Sequence, residues 1–283
     1  MTQPKYRDIG KSASDLVNKG YGIGTFKIKV KSSIAKNKPY EYKTSTTHNF
    51  KSQILDYYVN LKCNLPNHNM VLSEKWTPNN TLTTGLELVD YFFKGLTIHL
   101  ESNYNFMNSN RSASIKTDYI SPSYRLQNTI NLLGRPILNS TFVVGNKDVI
   151  AGVQVTTDLQ ENKIKAYNVA VSRLYSNSEI SFFIKNYTNV CGSFLYKAAP
   201  NLDLGGEVSI KQNLDELYYA FATKYCISND MVIKAKISSD SCVAISVKNK
   251  VTPYLSLSGA TQFPFYSSSN TSYKIGFGLE YSS

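Results

Sequence analysis

The segment from Tyr273 to Tyr281 alternates large apolar side chains with Lys, Gly or Glu at every second position. Because a β-strand turns successive side chains to opposite faces, this spacing predicts a strand with one apolar face and one polar face. The same alternation recurs from Phe26 onward, and no apolar run approaches the roughly 20 residues that a membrane-spanning helix needs. Strands with no helix to cover their apolar faces are typical of a transmembrane β-barrel, whose outer surface is covered by lipid.

Residues 1–24 depart from this alternation. Between Lys5 and Val17, apolar residues recur at helical spacing with charged residues on the other sides, which predicts a short amphipathic helix. Glycines follow at alternate positions, and we expect them to act as a hinge before the first strand, because glycine lacks the side chain that restricts the backbone. These hinge residues are Gly20, Gly22 and Gly24.

The remaining residues, 25–283, form the predicted barrel. A barrel strand of roughly 10 residues with its turn takes about 13 to 14 residues, so this length accommodates about 19 strands. The sequence therefore predicts an all-β fold with two parts: an N-terminal helix with a glycine-rich joint (1–24), and a transmembrane β-barrel (25–283).

A soluble β-protein is the structural alternative, because alternation alone does not say whether the apolar faces meet a protein core or lipid. About 19 strands would enclose a cylinder on the order of 35 to 40 Å across, which is too wide for side chains to fill. Such a barrel holds water in its lumen. The pattern therefore favours a membrane pore over a soluble lipid-binding β-protein.

The chain carries a formal net charge of +11, which by itself permits nucleic acid, anionic lipid or anionic solutes as partners. Its lysines are spread over many strands on the polar register instead of forming one basic patch, so nucleic acid is not an expected partner. A lysine that faces the water of a pore attracts anions. The lysines expected to face the lumen are Lys27, Lys29, Lys224, Lys234, Lys236, Lys248 and Lys274.

Cysteine and histidine give no sign of a metal or catalytic site. The four cysteines lie far apart without C-x-x-C spacing, and the three histidines are isolated from any cluster of ligating residues. We therefore expect no metal, no cofactor and no enzymatic activity. The first residues also lack the basic and apolar regions of a secretory signal, so an organelle membrane reached from the cytosol is expected.

Three stretches of the chain carry a family resemblance. One runs from Pro4 to Ala13 and on from Asp15 to Gly24, a second joins Ser73–Trp76 to Asn80–Leu82, and a third is Lys274–Tyr281. Together they resemble the mitochondrial porins, the voltage-dependent anion channel family. The resemblance runs the full length of the chain, although in the middle it consists mostly of the alternating pattern.

The resemblance implies a barrel of 19 strands, a number already known for this family, with the helix inside the pore and the first and last strands paired in parallel. It also implies a voltage-gated, weakly anion-selective pore of the mitochondrial outer membrane that passes ATP, ADP, phosphate and other small metabolites. Membrane lipid, anionic metabolites and nucleotides are then the expected partners. Whether the barrel forms homo-oligomers or binds cytosolic docking proteins is left open.

The resemblance also implies roles for single residues. Lys11 and Lys19 occupy helix positions that present lysines to passing nucleotides in this family, with solvated helix charge as the plain alternative. Glu74 occupies the position of a membrane-facing carboxylate tied to gating. Its own register agrees, because Leu72 and Trp76 place Glu74 on the apolar face of the strand. A strand-end carboxylate at the level of the lipid headgroups is the alternative.

Two further family features lie near the C-terminus. The last strand resembles the sorting signal of mitochondrial β-barrels, which here consists of Lys274, Gly276, Leu279 and Tyr281. The segment linked in this family to nicotinamide nucleotide binding reads Cys242, Val243 and Ala244, a departure that leaves retention of that site open.

A protein-import pore of the same superfamily is the alternative function. Such pores are expected to carry a longer N-terminal extension and an acidic lumen that receives presequences, and this sequence shows neither. Lysines on the polar register favour the passage of small anions instead.

Overall fold

The computed structural model describes residues 2–34, 39–186, 188–211, 216–265 and 273–282. In these ranges the chain forms 19 β-strands, one α-helix and two single turns of 3-10 helix. The α-helix, α1, spans Lys11–Asn18, and the 3-10 turns span Tyr6–Asp8 and Pro66–His68. No helix among the described residues is long and apolar enough to cross a membrane.

The strands are numbered β1 to β19 in chain order. Their bounds are Thr25–Ile34, Tyr40–Asn49, Leu55–Leu65, Met70–Thr77, Thr81–Val89, Leu96–Asn105, Arg111–Ile120, Tyr124–Asn131, Ile137–Gly145, Val149–Asp158, Lys163–Leu174, Ser178–Lys185, Asn189–Ala199, Leu202–Lys211, Glu216–Cys226, Met231–Ser238, Cys242–Lys250, Leu255–Pro264 and Lys274–Ser282.

The sheet closes on itself. Each strand pairs antiparallel with the next, and β1 pairs with β19 in parallel, with Phe26 opposite Phe277 and Lys29 opposite Glu280. An odd number of alternating strands makes this seam necessary, because the first and last strands then run in the same direction. The predicted all-β barrel of about 19 strands is therefore confirmed, and among the described strands closure leaves no unpaired edge.

The two faces of the wall differ as the alternation predicts. On β15, Tyr219 and Phe221 are 43% and 46% exposed on the outer face, whereas Ala220 between them is 0% exposed. Ala220 is covered because Leu16 and Val17 of α1 pack against it. The helix therefore lies inside the barrel on the polar register, as predicted, and the outer register presents its large apolar side chains to lipid.

The short helix predicted between Lys5 and Val17 is confirmed only from Lys11 onward; the part before Gly10 forms a single 3-10 turn, Tyr6–Asp8. Gly10 adopts a left-handed conformation with φ of 64°. A Cβ at this position would lie 2.5 Å from Phe183 Cζ and 2.9 Å from Ser181 Cβ on β12. The backbone approaches the wall so closely that only glycine fits, and the left-handed residue separates the 3-10 turn from α1.

The N-terminal segment contacts the wall on both sides of this break. Before it, Ile9 is 5% exposed and packs with Val143 and Ala170. After it, Leu16 and Val17 pack against the part of the wall formed by β13 to β15. The helical spacing of the apolar residues thus holds the segment flat against the inner wall along its length.

Candidate functional site: the lumen and the N-terminal segment

The seven lysines predicted to face the lumen all lie on the inner register of β1 and β15–β19. Across four neighbouring strands, Lys27 on β1 pairs with Gly278 on β19, and Gly278 pairs with Ser258 on β18. Ser258 in turn pairs with Lys248 on β17. Residues paired across neighbouring strands share one face, so these side chains lie side by side on the inner wall. We call this part of the wall, the inner face of β15–β19 and β1, the basic sector.

The basic sector and the glycine joint enclose a recess of about 480 Å³. The lysines that line the recess are Lys19, Lys27, Lys29, Lys234 and Lys248. Glu280 also lines it, accepting a hydrogen bond from Lys248 at 2.9 Å and lying 3.1 Å from Lys31 Nζ. Because this carboxylate offsets only part of the lysine charge, the recess keeps an excess of positive charge suited to anions.

Acidic side chains lie elsewhere on the inner wall. Glu87 on β5 is opposite His99 on β6, and Glu101 on β6 is opposite Ser114 on β7. These residues share the inner register of strands whose outer register is apolar. The lumen wall therefore carries charges of both signs outside the basic sector, since Lys116 on β7 lies opposite His99, on the same face as these carboxylates.

Lys11 is the first residue of α1, whereas Lys19 directly follows its last residue, Asn18, in extended conformation; each of the two lysines has an acidic neighbour. Lys11 Nζ is 2.6 Å from Asp8 Oδ1, and Lys19 Nζ is 2.8 Å from Asp15 Oδ1. The hydrogen bond from Lys11 holds the pKa of the Asp8 carboxyl below its ordinary value. Since each lysine shares its field with a carboxylate, the two attract passing anions less strongly than Lys27, which has no acidic neighbour at such distances among the described residues.

The glycine joint is seated on the wall near the seam. Gly24 N donates a hydrogen bond to Ile275 O at 3.0 Å, and Lys234 Nζ donates to Lys19 O at 3.0 Å. Lys236 Nζ lies over the face of the Tyr21 ring, 4.9 Å from the centroid of the ring. Burial raises the pKa of the Tyr21 phenol to about 12. The joint predicted to be a hinge is thus docked at several points in this state.

The three glycines of the joint are not equivalent, and substitution should separate them. Gly20 has φ of 97°, whereas Gly22 is outside the left-handed region and a Cβ there would meet Thr25 Oγ1 at an ordinary 3.7 Å. We expect Gly20→Ala to destabilise the docked segment by about 1 kcal/mol, because an alanine is strained at positive φ. Gly22→Ala is the matched control and should have little effect. Hydrogen exchange of the α1 amides measures both; equal protection in the two variants would contradict this assignment.

Glu74 lies on the outer face of β4. It is opposite Leu61 on β3 and Thr84 on β5, and its neighbours on the same face, Leu72 and Trp76, are 43% and 48% exposed. The residue is three positions from the end of the strand at Thr77 and four from its start at Met70. The carboxylate therefore lies on the outer face near the middle of the strand, while its contact with acyl chains and its role in gating stay predictions.

The predicted sorting signal divides between the two faces of β19. Lys274 and Gly276 lie on the inner register with Glu280, and Leu279 and Tyr281 lie on the outer one. At the start of β17, Cys242 and Ala244 are buried on the inner face and Val243 lies on the outer face. In the described part of the chain, no group of three or more His, Cys, Asp or Glu residues is arranged to hold a metal ion.

Sequence reasoning missed the polar contacts at the leading end of the N-terminal segment. Arg125 Nη1 donates a hydrogen bond to Gln3 O at 3.2 Å, and Arg125 is ion-paired with Asp118 at 2.6 Å. The one local signal was that Asp118 and Arg125 lie on the polar registers of two successive strands, either side of the turn at Pro122. The contact of Arg125 with Gln3 has no signature in the sequence.

Comparisons with known proteins agree with this architecture. A family model described as eukaryotic porin matches residues 3–276. The chain is similar to a probable voltage-dependent anion-selective channel of Caenorhabditis elegans, with 32% identity over 281 residues that cover 99% of each chain. It is 26% identical to a voltage-dependent anion-selective channel of Drosophila melanogaster, again over 99% of each chain. A non-selective voltage-gated ion channel of Xenopus laevis is also 26% identical, over 98% of each chain.

Among solved structures, a triple mutant of a porin from Rhodopseudomonas blastica is similar with a TM-score of 0.43 and 11% sequence identity, covering 92% of this chain and 96% of that chain.

Proposed function

The chain belongs to the eukaryotic porin family, and we infer on that premise that it is a voltage-gated anion pore in a membrane. We propose further that its permeants are ATP, ADP, phosphate and other small anionic metabolites, and that its membrane is the mitochondrial outer membrane. The observation that supports anionic permeants is the basic sector, where seven lysines share the inner register of neighbouring strands.

The preference for anions should be weak. The Debye length at physiological ionic strength is about 8 Å, which is short compared with the radius of a 19-stranded lumen, so wall charges do not exclude cations from the axis. Glu87 and Glu101 on another part of the wall also favour cations locally. A mixed wall of this kind biases the flow of ions without excluding either sign.

Phosphate-bearing metabolites suit such a wall. Lysine ammonium groups are mobile point charges that donate hydrogen bonds to phosphate oxygens without fixing one geometry. Passage requires contacts that are favourable enough to admit a solute and weak enough to release it. Several separate lysines around the recess, such as Lys27, Lys29 and Lys234, meet this requirement better than one tight pocket would.

A bilayer recording across a KCl gradient tests this function. We expect a reversal potential of anionic sign that grows when both solutions are diluted, because screening weakens with dilution. Replacing Lys27 by Glu should move the potential toward cation preference. The same change at Lys147, which lies in the exposed turn after β9, is the matched control and should change it little. Cation preference of the unsubstituted protein at every salt concentration would contradict the proposal.

A further inference from the structure

The leading end of the N-terminal segment is bound to the wall through Gln3. The Gln3 side chain is almost fully buried, at 5% exposure. Its Nε2 donates hydrogen bonds to Gly145 O at 2.8 Å and to Pro122 O at 3.3 Å. Gly145 ends β9 and Pro122 lies in the turn between β7 and β8, so a single amide joins the segment to two neighbouring hairpins.

Arg125 holds Gln3 from the other side. Its Nη1 donates to Gln3 O, while its Nε and Nη2 donate to the two carboxylate oxygens of Asp118 at 2.8 Å and 2.6 Å. Gln127 Nε2 donates to the same carboxylate at 2.7 Å. A bidentate pair with a further hydrogen bond fixes the guanidinium on the wall independently of Gln3. The wall thus presents a preformed donor to the backbone of the segment.

The segment is therefore held at both ends. Gln3 holds its start at β8, β9 and the turn between β7 and β8, and the Gly24 N to Ile275 O hydrogen bond holds its end at β19. Between these points lie the apolar contacts of Ile9 and Leu16. An α-helix held at one end can swing into the lumen, whereas one held at both ends must first lose an attachment.

We propose that Gln3, Arg125 and Asp118 form a latch that positions the N-terminal segment against the wall and limits its release into the lumen. Residues 2–19 contain four basic and two acidic side chains, so a transmembrane voltage exerts a force on this segment. If the pore closes by release of the segment, the latch sets part of the free-energy difference between the open state, with the segment docked, and the closed state, with the segment released. This link to closure rests on the proposed function. Gln3 and Arg125 are then positioning residues, since they act on permeation through the segment.

The positional part is tested with the full-length protein in lipid. Spin labels are attached at Thr2→Cys and at Asp230→Cys, both exposed positions, after the four native cysteines are replaced by serine. Gln3→Ala should raise the released fraction roughly tenfold, because it removes two hydrogen bonds of Gln3 Nε2. The distance distribution between the labels should broaden accordingly. A distribution as narrow as that of the unsubstituted protein would overturn the latch.

Asn103→Ala is the matched control, since it also removes a luminal amide. The Asn103 side chain bonds Thr83, Glu101 and Ser112, all on the wall. Its removal should leave the distribution between the labels unchanged. Equal broadening in both variants would show a general loosening of the barrel and would also overturn the latch.

The gating part is read from single-channel recordings of the same variants. Gln3→Ala should shift the voltage of half-closure and leave the conductance of the open state nearly unchanged, whereas Asn103→Ala should not shift that voltage. A broadened distance distribution with an unshifted voltage would overturn the link to gating while the latch itself stands. If the unsubstituted protein shows no voltage-dependent closure, the proposed function fails, and the spin-label result still decides the latch.

Discussion

Gly276→Ala is expected to push the N-terminal joint off the wall and to destabilise the barrel seam. A Cβ at this position would overlap Gly22 O and would lie 2.7 Å from Gly22 C and 3.0 Å from Thr25 O. All of these are backbone atoms, which move only if the joint itself moves. Because overpacking against a fixed backbone is costly, we expect the free energy of unfolding to fall by about 3 kcal/mol or more if the segment stays docked. If the segment undocks instead, the fall in the free energy of unfolding should be smaller.

Gly259→Ala on the neighbouring strand is the matched control. Gly259 is opposite Phe277, the residue next to Gly276, and a Cβ there would meet no atom within 4 Å. This variant should be neutral or slightly stabilising, because alanine restricts the unfolded chain more than glycine does. Urea unfolding of refolded protein in lipid measures both variants, and hydrogen exchange of α1 reports undocking. Equal stability and equal α1 protection would show that Gly22 does not rest on β19.

Refolded protein is needed for a second reason. Gly276 also belongs to the predicted sorting signal, so a defect seen only in cells has two explanations. Refolding removes the import step and isolates the contact with Gly22. If the refolded variant is normal but fails to reach its membrane, the sorting role accounts for the defect.

The alternation of the strands allowed both faces of the wall to be predicted from the sequence. Side-chain direction in a strand is local and has a period of two residues, so each register follows from a few neighbours. This is why the lysines of the basic sector lie where the pattern places them, and why Glu74 shares a face with Leu72 and Trp76. Closure of the sheet also followed, because the strand pattern leaves no helix to cover the apolar face.

The features that were missed depend on contacts between distant parts of the chain. The helical spacing continues through Gly10, and only the approach of Ser181 and Phe183 reveals that the helix must break there. The Gln3 and Arg125 contact joins residues 122 positions apart. Glu280 likewise meets Lys31 only because β1 and β19 pair across the seam. Contacts between residues so far apart in the sequence leave no local sequence pattern.

The charge on the lumen wall shows the same limit. The sequence identified which lysines face inward, but not which of them have acidic partners. In the structure Lys224 lies 3.1 Å from Asp203, and Lys248 lies 2.9 Å from Glu280. Ion pairs of this kind lower the field that an anion meets, so selectivity depends on the unpaired fraction of the lysines.

Glu74→Gln is expected to stabilise the barrel in lipid by about 2 kcal/mol. Leu72 and Trp76 place the carboxylate on the outer face, opposite Leu61 and Thr84, where acyl chains surround it. An ionised group there is solvated only if the bilayer thins or admits water, and an amide of the same shape removes most of that cost.

The luminal carboxylate Glu87 on the next strand supplies the control. Glu87→Gln exchanges the same groups in the water of the lumen, opposite His99, so its effect on stability should be small. Thermal unfolding in vesicles should therefore show a raised midpoint for Glu74→Gln alone, with a larger rise in a thicker bilayer, because thinning then costs more. Either of two results would mean that the carboxylate does not face lipid: a lowered midpoint for Glu74→Gln, or a spin label at position 74 that a lipid-soluble paramagnetic probe fails to reach. The gating role predicted for Glu74 would then lose its physical basis.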